Sequence, residues 1–135
     1  MTDTVTSEVR SRIMSSVPQR NTSAERIVRS CLHRLGYRFR VYRRDLPGSP
    51  DIVLPRYQTA IFVHGCFWHQ HRHCPKARRP SSNTNYWDRK LSENVVRDKL
   101  KAKQLMKLGW RVVVVWECET RKLESLVERL LKLLG

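Results

Sequence analysis

No apolar run in these 135 residues approaches the ~20 that a membrane-spanning helix needs. Met1 to Glu8 are polar and acidic where an export leader would be basic and then apolar, so the expected location is the cytoplasm. Cysteine is sparse at four residues, and in a reducing compartment these read as thiols or metal ligands rather than disulfides. Acidic residues are scarce: 12 Asp and Glu stand against 27 Lys and Arg, a formal net charge of +15. That balance attracts polyanions, of which nucleic acid is the commonest. A membrane surface fits less well, because no basic helix opposes a Trp or Phe face to its Lys/Arg face. There is no internal repeat. Core material, by contrast, is plentiful: 40% of residues are hydrophobic, with four Trp, four Tyr and three Phe, too much for a disordered polycation. A chain of this length buries roughly two thirds of its unfolded surface. The expectation is a monomer with one folded domain over residues 21–135, preceded by a flexible arm over residues 1–20 that carries Arg10, Arg12 and Arg20.

Hydrophobic periodicity gives the element order. Thr22 and Glu25 have capping-box spacing, and Ile27, Val28, Cys31, Leu32 and Leu35 follow at helical intervals up to Gly36, which predicts a helix over about 23–35. Phe39 and Val41 alternate with charges as a half-buried strand, closed by the turn-rich Leu46-Pro47-Gly48-Ser49-Pro50. Ile52-Val53-Leu54 and Thr59 to His64 read as a hairpin. Residues 65–85 have no pattern. Tyr86 to Leu108 read as a long helix with a possible break at Ser92, Arg111 to Trp116 as a strand covered on both faces, and 121–134 as an amphipathic helix. The order α-β-β-β-α-β-α is that of an α/β protein with a mixed central sheet flanked by helices. A strand, a long helix and a strand imply a right-handed crossover, so the 59–64 and 111–116 strands run parallel and end on the same rim. The hairpin sets Asp51 across from about Phe62 to His64 on that rim.

The residues with chemical potential converge there. Cys66, His71 and Cys74 follow one strand, and Cys118 follows the strand parallel to it, a Cys3His set suited to a tetrahedral structural zinc. His73 competes with His71, and its adjacency to Cys74 favours His71. The alternative is that some of these thiols are merely small apolar residues, which is the better reading of Cys31 on its helical stripe. Asp51 could ligate a magnesium ion together with backbone carbonyls and phosphate oxygens, or only cap the preceding turn. His64 and His69 are suitable general bases or spare ligands. Glu25 has a complete role as a helix cap and becomes catalytic only if that helix end faces the rim. Phe67 and Trp68, joined by Trp87, suit base stacking or wedging into a duplex, and equally a satellite core over the zinc. Arg89, Lys90, Arg97, Lys99, Lys101 and Lys103 on the long helix are phosphate contacts or solvated surface. Two classes of function fit these features, a metal-dependent DNA-cleaving enzyme and a zinc module that binds distorted DNA without cutting it.

With these residues assembled, the chain closely resembles the very short patch repair (Vsr) mismatch endonucleases across residues 10–134. The strings that carry the resemblance are Leu46-Pro47-Gly48-Ser49-Pro50-Asp51, Ile61 through His69, Tyr86-Trp87-Asp88-Arg89-Lys90, Asn94-Val95-Val96-Arg97-Asp98 and Gly109 through Cys118. The resemblance implies a restriction-endonuclease-like core and a Mg²⁺-dependent nick in one DNA strand, 5′ to the T of a T:G mismatch left by deamination of 5-methylcytosine. Its partners are then double-stranded DNA with that mismatch and, transiently, mismatch-repair proteins. Asp51 matches the magnesium-binding aspartate, completed by the main-chain carbonyl of Val63. His69 matches the general base, Glu25 a supporting acid and His64 a helper at the attacking water. Phe67, Trp68, Trp87 and, more loosely, Met14 match residues inserted beside the mismatch, and Cys66, His71, Cys74 and Cys118 match the Zn²⁺ ligands. Val63 stands where the best-known member has Thr, a harmless change if the ligand is the backbone. One extra residue separates His71 from Cys74, and no Glu-x-Lys follows Asp51, as befits a histidine-based variant of the nuclease core.

Overall fold

The computed structural model describes residues 22–134. Met14 and the rest of the expected arm lie outside them. The first helix, α1 (Ser23–Arg34), begins as the capping box requires: Glu25 N–H donates to Thr22 Oγ1 at 3.2 Å and Thr22 N–H donates to Glu25 Oε2 at 3.1 Å. It buries Val28, Cys31 and Leu32. Strands β1 (Arg40–Val41), β2 (Ile52–Leu54) and β3 (Thr59–His64) follow, then the long helix α2 (Thr84–Lys107), strand β4 (Arg111–Trp116) and helix α3 (Leu123–Leu134).

The sheet has the order β1-β2-β3-β4. The first three strands are antiparallel neighbours, with Ile52 opposite Ile61. β3 and β4 are parallel, in register from Thr59 beside Arg111 to His64 beside Trp116. One sheet face, carrying Ile52, Leu54, Ile61, Val63, Val113 and Val115, packs against α1 and α3 in the main core, which also holds Leu126, Leu130 and Leu134. α2 lies over the other face. The two faces follow from the alternation of side chains along a strand.

Four sequence expectations are corrected. β1 is only two exposed residues, because Tyr42 turns out of the extended region at φ 51°. α2 starts two residues earlier than its periodicity suggested and runs unbroken through Ser92. The last helix starts at Leu123, after a 3₁₀ turn over Glu117–Arg121. β4 is not equally covered on both faces: Val113 and Val115 are buried, whereas Val112, Val114 and Trp116 are half-buried because they line a cleft beneath α2.

The outer edge of β4 is occupied by side chains. Arg129 Nη2 donates to the Val114 carbonyl at 2.8 Å while its Nη1 meets the Glu119 carboxylate at 2.6 Å. Glu119 Oε1 in turn accepts the Trp116 N–H at 2.9 Å.

Candidate active site

The cleft between α2 and the sheet has a volume of about 740 Å³ and opens at the rim where β2 begins and β3 and β4 end. Asp51, Val63, His64 and His69 line it, as do Arg97, Lys99 and Lys101 from α2 and Arg72 from the loop after β3. A floor of carboxylate and imidazole is thus walled by cations, the arrangement that draws a polyanion toward the reactive groups.

Asp51 owes its position to the end of the hairpin ladder. Its Oδ2 accepts the Val63 N–H at 2.7 Å, taking the place of a strand partner. Extending the β2–β3 register by two positions sets Val63 opposite Pro50, which has no N–H to offer the Val63 carbonyl. Because the N–H and C=O of one strand residue leave on the same edge, that carbonyl faces the same side as Asp51. A carboxylate and a carbonyl to which Pro50 cannot donate, facing the same side, are oxygen ligands of the kind magnesium takes. The Pro50-Asp51 pair therefore produces both from one break in the sheet.

His69 Nδ1 is 2.6 Å from Asp98 Oδ2, and the His69 ring stacks on His64 with centroids 3.8 Å apart. A carboxylate on Nδ1 holds the proton there and leaves Nε2 as the basic nitrogen. His64 is only 7% exposed, and burial, reinforced by the neighbouring His69 against the opposing Asp98, pushes its pKa down to about 3. It is a neutral ring at physiological pH. Asp98 was not among the site residues expected from sequence. The signal was present, since Trp87, Leu91, Asn94 and Asp98 recur at steps of four, three and four along α2, which places a carboxylate on an inward stripe.

Glu25 does not line the cleft. It is 1% exposed, held by its cap and by the Tyr42 hydroxyl, which donates to Oε2 at 2.8 Å. Tyr42 N–H also donates to the Asp51 carbonyl at 3.2 Å, so one residue connects the start of α1 to the rim. Tyr42 is the second site residue that sequence reasoning missed, and no local pattern marks it. Glu25 Oε1 is buried and has no hydrogen-bond partner among the described residues, an acceptor that the capping role leaves unused.

Beyond β3 the chain forms a compact loop. The ligand atoms of Cys66, His71, Cys74 and Cys118 all lie within 4.8 Å of one another. His71 Nδ1 is 3.7 Å from Cys66 Sγ and 3.5 Å from Cys118 Sγ, and the His71 ring stacks on Trp116 at 4.2 Å. His73 is outside the cluster. Burial pushes the Cys66 thiol up to about 12 and also raises Cys118, and a bound cation would favour the ionised form of both. Three thiols and one imidazole are the donor set of a structural zinc site.

Of the two readings of the aromatic residues, the satellite core is the one present. Phe67, Trp68 and Trp87 are 6%, 8% and 0% exposed and form a satellite core with Leu91. Their centroids lie 5.2 to 5.8 Å apart, with edge-on or tilted planes. Asn94 Nδ2 donates to the Trp68 carbonyl at 3.2 Å, and Gln70 Nε2 ties the loop together through the carbonyls of Phe67 and Ala77. Tyr86, half exposed, packs edge-on against Trp87.

A carboxylate and a carboxylate-oriented imidazole facing a cationic wall define an α/β domain equipped for hydrolysis on a polyanion. The chain belongs to the family described as DNA mismatch endonuclease Vsr, whose sequence model matches residues 2–76. It is 48% identical over 134 residues to "Type II nicking enzyme V.XorIIP" of Xanthomonas oryzae pv. oryzae, covering 99% of this chain and 98% of that protein. It is 41% identical over 131 residues to "DNA mismatch endonuclease Vsr" of Escherichia coli, covering 97% and 83%. The identity is also 41%, over 133 residues, with "Type II nicking enzyme V.NmeAIP" of Neisseria meningitidis, covering 98% and 94%. Among the described residues no helix is long and apolar enough to cross a membrane.

Proposed function

We propose that this chain is a DNA endonuclease of very short patch mismatch repair that nicks one strand 5′ to the T of a T:G mismatch produced by deamination of 5-methylcytosine. Its core is then restriction-endonuclease-like, and it works as a monomer in the bacterial cytoplasm, in transient contact with other mismatch-repair proteins. The observation that carries the reading is the His69–Asp98 pair at 2.6 Å in the same cleft as Asp51.

Asp51 and the Val63 carbonyl would hold Mg²⁺, whose charge would polarise the phosphate under attack. The chain's own residues do the proton work. Asp98 fixes the His69 tautomer and stabilises the imidazolium as it forms, while Nε2 takes a proton from the attacking water. His64 provides an uncharged stacking surface that orients His69. Glu25 supports the Asp51 segment through Tyr42. Cys66, His71, Cys74 and Cys118 would hold Zn²⁺ and fix the loop that carries both His69 and the aromatic cluster. Phe67, Trp68 and Trp87 meet the mismatch as a preassembled hydrophobic block, and Met14 joins them from the arm. Insertion of Phe67 or Trp68 between base pairs requires the block to open, at a cost offset most easily where the duplex is already weak.

The test is to incubate T:G and T:A duplexes with the protein in Mg²⁺ and in EDTA. Nicking of the T strand of the T:G duplex, in Mg²⁺ only, is the expected result. Cleavage of both strands of the T:A duplex would replace the proposal with a restriction nuclease, and mismatch binding without nicking would leave a recognition module.

A further inference from the structure

The inward stripe of α2 continues beyond Asp98. Trp87, Leu91, Asn94, Asp98, Lys101 and Leu105 recur at alternating steps of four and three. The apolar members, Trp87, Leu91 and Leu105, are all 0% exposed. The polar members form the middle of the stripe, and two have partners already described: Asn94 holds the Trp68 carbonyl and Asp98 holds His69. Lys101 is half-buried and lines the cleft with Asp51 and Ser49, yet among the described residues no hydrogen bond or ion pair holds its ammonium.

The base of the Lys101 side chain is nonetheless closely packed. Gly48, at φ +77°, packs so closely that a Cβ placed on it would lie 3.0 Å from Lys101 Cβ and 3.1 Å from Phe62 Cζ. The Leu46 to Pro50 turn therefore packs against Lys101 Cβ just before the chain reaches Asp51. A lysine on a solvent-facing stripe would extend into water. This one stands on the stripe that holds the helix against the sheet, with a glycine opposite that makes room for it. Arg72, Arg97 and Lys99 also line the cleft but are exposed.

We infer that Lys101 is a phosphate-binding residue of the cleft, taking one backbone phosphodiester of the cleaved strand close to the phosphate presented to Asp51. The inference rests on the endonuclease reading for its substrate. A compact ammonium acting as a point charge suits a single phosphate oxygen, and the place of Lys101 in the cleft beside Asp51 sets which stretch of backbone it reaches.

The experiment measures binding to a T:G duplex in EDTA across a salt series, for the parent protein, Lys101→Met, Lys101→Gln and Lys101→Arg, with unfolding midpoints recorded for each. The neutral variants should bind about tenfold more weakly. Their log–log salt slope should be smaller by about 0.9, while Lys101→Arg keeps the parental slope. Duplexes carrying one neutral methylphosphonate at successive positions give the decisive comparison. The parent should lose affinity at the contacted phosphate, and Lys101→Met should lose nothing further there. Neutral variants that fold and keep the parental slope would overturn the inference, as would methylphosphonate losses that multiply with the Met substitution at every position. Nicking by the parent in Mg²⁺ is followed in parallel. A parent that binds with the expected slope but does not nick rejects the endonuclease reading alone, and a parent that nicks beside unaffected Lys101 variants rejects the phosphate contact alone.

Discussion

His64 and His69 lie face to face, with ring centroids 3.8 Å apart and planes 6° from parallel. His64 stays neutral there, so it gives His69 a flat, uncharged surface and leaves Asp98 as its charged neighbour. The imidazole is held on one side by packing and on another by a hydrogen bond.

Replacing Asp98 should therefore affect chemistry and not recognition. Asp98→Asn should slow single-turnover nicking by about 10- to 100-fold, the usual scale for a group that orients a functional imidazole. His69→Ala should slow it by roughly 10²–10⁴-fold. Both should bind the T:G duplex as the parent does. Parental nicking by Asp98→Asn would show that the 2.6 Å contact is only structural.

Asp51 has two separable roles. Asp51→Ala should abolish nicking and also leave the Val63 N–H without its acceptor, lowering stability by about 1–3 kcal/mol. Asp51→Asn retains an acceptor oxygen, so it should stay close to parental stability and still fail to nick. Binding of the mismatch should survive or tighten in both, because a negative charge has left a phosphate-binding cleft. Chemical denaturation and a nicking assay on the two variants separate the roles, and nicking by Asp51→Ala at the parental rate would reject the catalytic centre.

Much of this region was legible because strands announce themselves by composition. The apolar run from Val112 to Trp116 and the hairpin through Asp51 placed the rim, and the rim brought Cys118 to Cys66, His71 and Cys74. Asp98 was hidden among the charges of α2, where a carboxylate on the inward stripe looks like one more surface charge until its phase is counted against Trp87 and Leu91. The burial of Phe67 and Trp68 was one of two readings that composition could not separate. They lie in a segment without periodicity, and what covers them is Trp87, reached only after the chain has closed a loop of about twenty residues. Tyr42 escaped notice for the same reason, since the contacts that join it to Glu25 and to the Asp51 carbonyl lie 17 residues back and 9 residues ahead.

The thiol cluster predicts about one tightly held zinc per chain. Cys118→Ala and His71→Ala should each lose the metal, and their unfolding midpoints should fall well beyond the ~4 °C that one kcal/mol produces in a domain of this size. His73→Ala should keep both metal and midpoint, because His73 stands outside the cluster. Metal analysis of the three variants decides the ligand set, and full occupancy in Cys118→Ala would show that the thiol belongs to no such site.

The aromatic cluster predicts different costs for neighbouring rings. Trp87→Ala removes a wholly buried side chain and should cost about 3–5 kcal/mol of stability. Trp68→Ala should also destabilise, and in addition should narrow the difference in affinity between T:G and T:A duplexes. Unchanged discrimination in Trp68→Ala would assign the ring to packing only.

The side chains along β4 have a consequence for crowded solutions. An exposed strand edge is a template on which a second chain can add its own strand, and a sheet can grow from molecule to molecule in that way. Here an incoming strand would find the Val114 carbonyl already taken by Arg129 and the Trp116 N–H by Glu119, and it would have to separate those two charges to gain either bond. On the β4 side, growth of the sheet is therefore opposed at these two positions by an ion pair that already uses their hydrogen-bonding groups.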